Sequence, residues 1–237
     1  MSCAVLLLAA SDAALSESGY ELLQFDRHYV KWGSPVLGTG ASVRYAIVDR
    51  EFRFASAINC PAIGPLRRLF DRSGVDAQRF RQEVAAAAAQ WQAAADILFE
   101  EVDDPSKADV LIGAQAEPKG WAFANVFHEQ GATVGNTKRI EKALVCLNPE
   151  KPWKVGFGGD AFAYDIRYTI AHELGHAIGL NHAGPEGQVM SFKYGEAFRS
   201  LQSGDLSGAV ALYGRPGYAP TSTAATPKPK QPELGLR

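Results

Sequence analysis

Residues 172–182 read His-Glu-Leu-Gly-His-Ala-Ile-Gly-Leu-Asn-His, and their types and spacing suit the chemistry of a catalytic metal. On a helix, His172 and His176 leave from one face, close enough to share an ion. Glu173 sits one position along and can reach a water at the metal without being a ligand itself. Gly179 ends or bends the helix, and His182 returns from that turn as a third ligand. Three imidazoles with a fourth position open describe a catalytic zinc site, whereas structural sites close all four positions. One catalytic Zn2+ is therefore expected on His172, His176 and His182, with Glu173 as general base in a hydrolysis. A bare H-E-x-x-H arises in helices by chance; the added glycine and third histidine make coincidence much rarer. Of the five histidines in the chain, three fall in this window.

The extended pattern resembles that of the metzincin metallopeptidases, which place a methionine in a tight turn beneath the zinc. Met190, eight residues after His182, matches that methionine and is expected to pack rather than react. In some metzincins a tyrosine two residues after the methionine reaches the zinc; here that position is Phe192, which has no donor atom. Tyr194 matches the tyrosine with which matrixins wall the pocket beside the scissile bond. Leu201–Gly214 resembles the closing matrixin helix, with Ser203 or Asp205 as its cap and Gly214 at its end. Gly204 stands where the family usually has the first of two aspartates, which removes any salt link from that position to a freed N-terminus.

Elements that could position these residues follow from patterning. Val43, Tyr45 and Ile47 alternate as a strand does within residues 42–49. Asp76 can cap a long helix over about 77–96, with Phe80, Val84, Ala88, Trp91 and Ala95 on one stripe. Short strands are expected at Ile97–Val102, Ala108–Gly113, Trp121–Val126 and Ala143–Leu147, then the zinc helix near 166–179, capped by Asp165. This is the matrixin order. It implies an α+β, zincin-like catalytic domain, a mixed five-stranded sheet with three main helices. The expected divisions are a candidate signal peptide at 1–16, an N-terminal segment at 17–40, the catalytic domain at 41–214 and a disordered tail at 215–237. The tail is rich in Pro, Thr, Ala and Lys, with too little apolar material to pack.

Composition fits one compact domain of 237 residues with a net charge of −2, which argues against nucleic acid or an anionic membrane as an obligate partner. No apolar run has the length of a membrane span. Cys3–Ala10 and the small residues after it resemble a secretory signal without a basic start, so a secreted, extracellular or periplasmic protein is expected. No inhibitory prodomain is visible in about forty residues before the first expected strand. If the signal is removed, Cys60 and Cys146 remain as a pair: a disulfide in an oxidising compartment, or two buried thiols in a reducing one.

Matrixins commonly hold a second, structural zinc on histidines upstream of the catalytic helix. That region here offers only His128, so none is expected. The 156–165 loop resembles a stretch that can help bind calcium, but Asp160 and Asp165 supply too few oxygens, leaving calcium unsupported. His28 reads as a surface residue. The expected partner is a protein or peptide substrate, taken by a monomer against the edge strand at Ala122, Phe123 and Ala124, with specificity set by a pocket near Tyr194. Two other readings stay open: hydrolysis of a different amide, and a non-enzymatic module stapled by zinc. The second requires a lost base or a filled fourth position, and Glu173 is present.

Overall fold

The computed structural model describes residues 19–130, 135–184 and 186–217. The candidate signal peptide with Cys3, and the tail from residue 218, lie outside them. Five strands form the centre of the fold, in the spatial order Ala122–His128, Thr137–Leu147, Val110–Gln115, Ala41–Ile47 and Ile97–Glu101. The last four run parallel, and the edge strand Ala122–His128 runs antiparallel to its neighbour. Parallel neighbours need crossover connections, and the long helix Ala77–Ala94 is such a crossover, leading from Ala41–Ile47 to Ile97–Glu101. Every residue of Val110–Gln115 is buried, as a strand covered on both faces requires.

The long helix starts where the pattern predicts: the Asp76 carboxylate accepts from Arg79 N at 2.7 Å. Phe80, Val84, Ala88 and Trp91 are buried along its inner stripe. Its alanine-rich centre lets the zinc helix Ile166–Ala177 approach closely, and Trp91 Nε1 donates to Ala171 O at 2.9 Å across the contact. Asp165 caps the zinc helix by accepting from Tyr168 N at 2.8 Å.

Several expected limits move. The edge strand begins one residue after Trp121 and continues to His128, and the Ala143–Leu147 strand extends back to Thr137. The added residues Thr137–Arg139 pair with His28–Lys31, itself joined antiparallel to Gln24–Phe25. The fold therefore begins before the expected boundary at 41. Glu21–Leu22 also pairs with Leu180–Asn181, and Trp32 Nε1 donates to Ala177 O at 2.8 Å. Strands of two residues are too short to show a period, and their partners lie far away in sequence, so no local pattern displays them. A second hairpin, Phe52–Arg53 with Ala62–Gly64, joins the end of Val110–Gln115. His28, read as a surface residue, is half-buried in this sheet. The closing helix Ser203–Tyr213 is capped by Gln202, not by Ser203 or Asp205; Gln202 and Asp205 exchange hydrogen bonds as a capping box.

Candidate active site

His172 and His176 leave one face of the zinc helix, and the chain then turns sharply at Gly179, φ +106°, whose N–H donates to His176 O at 3.0 Å. That turn feeds Leu180–Asn181 into pairing with Glu21–Leu22, which brings His182 back over the helix. One ligand atom from each of the three histidines lies within 4.8 Å of the others. His172 Nδ1 lies 2.7 Å from Val189 O and His176 Nδ1 lies 2.8 Å from Leu180 O. A carbonyl can only accept, so both Nδ1 atoms carry the proton and both Nε2 atoms present lone pairs.

The donor set fits zinc. His176 Nε2 and His182 Nε2 stand 3.2 Å apart. Two nitrogens about 2.0–2.1 Å from one tetrahedral ion would stand about 3.3 Å apart. Burial keeps the imidazoles neutral, as ligands must be. It pulls His172 down to about 4 against the opposing pull of the Val189 carbonyl, and pulls His176 well below its ordinary value. His182 is lowered less, by burial, with the Glu21 carboxylate acting against the shift. Burial likewise pushes the Glu173 carboxyl up to about 8, and a backbone hydrogen bond from Ala124 holds it down in part.

Beneath the histidines, Met190 is buried against Gly175, where a Cβ would run into its sulfur. The turn bearing Met190 is held by the buried Asp205 carboxylate, which accepts from Val189 N at 2.8 Å and Met190 N at 2.9 Å. Gly204 packs its backbone on Gly19, with no room for a side chain. The family's usual aspartate could not stand there in this fold.

A cavity of about 590 Å³ runs past the three histidines and Glu173. Ala122, Phe123, Ala124 and Tyr194 all line it. Tyr194 belongs to an aromatic stack: its ring lies 3.9 Å from that of Tyr164, which lies 3.6 Å from that of Trp121. Its hydroxyl accepts from Asp165 N at 2.8 Å and donates to Glu196 at 2.8 Å, so the wall is fastened to the start of the zinc helix. Phe192 is exposed, with its ring 5.2 Å from that of His182.

The matrixin family model (peptidase M10) matches residues 69–214, more than half of the chain. The chain belongs to the matrixin family. Stromelysin-3 of Mus musculus is 32% identical over 156 residues, covering 63% of this chain and 30% of the relative. Metalloendoproteinase 1-MMP of Arabidopsis thaliana is 31% identical over 133 residues, 54% of this chain and 36% of the relative. Matrix metalloproteinase-19 of Homo sapiens is 27% identical over 139 residues, 57% of this chain and 26% of the relative. This matrixin chain thus matches only about a third of the length of these relatives.

Other candidate residues of this matrixin fall differently. Cys60 and Cys146 are joined as a disulfide. Asp165, named with the calcium-like loop, has its carboxylate engaged within the fold: Arg199 grips it with Nε at 2.8 Å and Nη2 at 2.7 Å, and Gly156 N and Tyr168 N donate to it as well. His128 lies away from the triad, its ring stacked on Phe25 at 5.2 Å. Among the described residues, the histidine triad is the one group of three or more acidic, Cys or His side chains arranged to hold an ion. Sequence reasoning missed Asp205 as the anchor of the methionine turn and Arg199 as the clamp on Asp165. Both partnerships join distant segments, and nothing in local spacing marks them.

Proposed function

We propose that this chain is a zinc-dependent endopeptidase with Glu173 as general base. The observation that carries the reading is the convergence of three neutral imidazoles beside a buried carboxyl, in a cleft whose wall is the edge of a sheet. Zinc bound by His172, His176 and His182 would polarise a peptide carbonyl and lower the pKa of a water. The remaining steps belong to the chain. Glu173, buried beside the three histidines, takes the proton of the attacking water and returns it to the leaving nitrogen. Ala122–His128 pairs on one side with Thr137–Leu147 and lines the cleft with the other, so an extended substrate can add as a further antiparallel strand. The Trp121–Tyr164–Tyr194 stack walls the pocket that receives the side chain after the scissile bond.

A monomer suffices for this reading, since the three histidines, Glu173 and the edge strand all belong to one chain. No described helix is long and apolar enough to cross a membrane. The Cys60–Cys146 disulfide supports placement in an oxidising compartment outside the cytosol.

Purified protein is expected to cut a quenched peptide library with zinc and to lose that activity to a chelator. Glu173→Ala is expected to keep zinc by metal analysis while turnover falls by about a thousandfold or more. Retained turnover in the variant would sink the role of Glu173. A zinc-loaded wild type that cuts small amides but no peptide would favour hydrolysis of a different amide.

A further inference from the structure

The family match begins at residue 69, yet part of the cleft is built by earlier segments of the chain. Leu23, Phe25, Ser56, Ile58 and Asn59 line the same cavity as the histidines. The last three sit on a loop, residues 54–60, that leads from one strand of the Phe52–Gly64 hairpin to the other. This loop is held at both ends. Phe54 N donates to Pro61 O at 2.8 Å, and the Phe54 ring lies 5.7 Å from that of Phe127 on the edge strand. Cys60 is bonded to Cys146, which stands opposite Phe123 of the edge strand in the sheet register. Ile58 is nevertheless 87% exposed, a large apolar side chain at the mouth of a cleft.

Substrate polarity gives this end a meaning. A peptide antiparallel to Ala122–His128 runs from the His128 end towards the Ala122 end. Glu173 is hydrogen-bonded at Ala124, so the scissile bond lies at that level. Phe127 is three residues further along, about 10 Å at strand rise. The segment before the scissile bond therefore passes Phe127 and Phe25, where the Phe54 end of the loop is packed, while the Cys60 end is tied back at the level of Phe123.

We propose that residues 54–60, clamped by the Cys60–Cys146 disulfide, form a jaw that grips a large apolar side chain about three residues before the scissile bond, with Ile58 as its contact. The proposal rests on the peptidase reading. Ile58 lies mostly in water and covers nothing in the described fold, so a substrate side chain against it would remove apolar surface from both. The disulfide keeps the loop over the strand, so the contact costs little ordering when substrate arrives.

The test uses two peptide substrates, cleaved by the zinc-loaded protein and identical except at the third residue before the cut, leucine in one and serine in the other. The readout is the ratio of their kcat/KM values, in which any loss of active protein cancels. Wild type is expected to favour leucine by roughly tenfold, chiefly through KM. Ile58→Ser should bring the ratio close to one, and Ile58→Leu should restore it. The Cys60→Ser/Cys146→Ser double variant, and wild type under a mild reductant, should also lower the ratio. No leucine preference in wild type, or an unchanged ratio in Ile58→Ser, overturns the jaw. An unchanged ratio in the double variant overturns the clamp. If zinc-loaded wild type cleaves neither peptide nor any member of a library, the peptidase reading itself fails and the jaw falls with it.

Discussion

At Gly179 the backbone takes φ +106°, a region L side chains rarely adopt, and an added Cβ would also run into the Val30 carbonyl. The turn that returns His182 to the side of His172 and His176 depends on both conditions being met by hydrogen alone. Gly179→Ala is expected to lower stability by about 2–4 kcal/mol, read by urea unfolding, and to weaken zinc binding by at least about tenfold in a competition titration. Normal zinc affinity in that variant would show that His182 reaches its position without this turn. At this scale most of the site was legible. The ligand spacing on one helix face, Glu173 beside the first ligand and the glycine of the turn all depend on local geometry. Met190 was legible only through resemblance. The reason for its place is a contact with Gly175, another helix residue of the motif.

Between elements, single buried charges do the joining. Asp205 stands at the start of the closing helix and accepts from Val189 N, Met190 N and Gln202 N, the last at 2.7 Å. The Val189 carbonyl in turn orients His172, so the closing helix acts on the proposed metal ligands through the methionine turn. Asp205→Ala would leave three donors without this acceptor. A loss of about 2–4 kcal/mol in unfolding free energy is expected, with zinc affinity falling about tenfold to a hundredfold. A variant unstable yet normal in zinc affinity would separate the helix from the site. A second junction is formed by Glu83, fully buried on the long helix, which pairs with Arg79, Arg167 and Arg199 at 2.9, 2.7 and 2.8 Å. Arg199 bridges it to Asp165, the cap of the zinc helix. The capping residues Asp76 and Asp165 could be read from their place before a helix. Their partners across the fold could not, because Arg199 looks like any surface cation until the segment carrying it is laid against two helices.

For the whole molecule, stability responds to redox state and to pH. The Cys60–Cys146 bond closes a loop across a sequence separation of 86, for which chain entropy alone allows about 4.6 kcal/mol. Cys60→Ala/Cys146→Ala is expected to melt roughly 5–15 °C lower than wild type by calorimetry. An unchanged melting temperature would mean that the bond stabilises little beyond the packing around it. Lys31 is fully buried, its Nζ donating to Trp32 O, Ser34 O and Thr39 Oγ1 at 2.8, 2.6 and 3.3 Å, with no carboxylate among these partners. Burial pulls its pKa down to about 8. In the unfolded chain it would titrate near about 10.4, so between about pH 8 and 10 the unfolded state holds a proton that the fold has released. The Lys31 contribution to stability therefore rises with pH across that window. Thermal unfolding should show wild type gaining on Lys31→Met by on the order of 2 kcal/mol from pH 7 to 10. A difference that stays flat, or moves the other way, would contradict the buried cation.

Whatever depends on neighbours within a turn or two can be read directly from the chain: the spacing of the proposed zinc ligands and base, the helix caps, the alternation of strands and the order of elements. Tertiary structure decided the rest. The N-terminal segment joins the sheet and braces the approach to His182 only because Leu180–Asn181 and Thr137–Arg139 offer free backbone edges to it. Cys60 meets Cys146 because the hairpin folds over the sheet, and Asp205 finds the methionine turn because the closing helix packs beneath it. In each case the partners are far apart along the chain and are brought together by burial of apolar surface. Burial is non-directional, so it leaves no spacing in the sequence from which such meetings could be read.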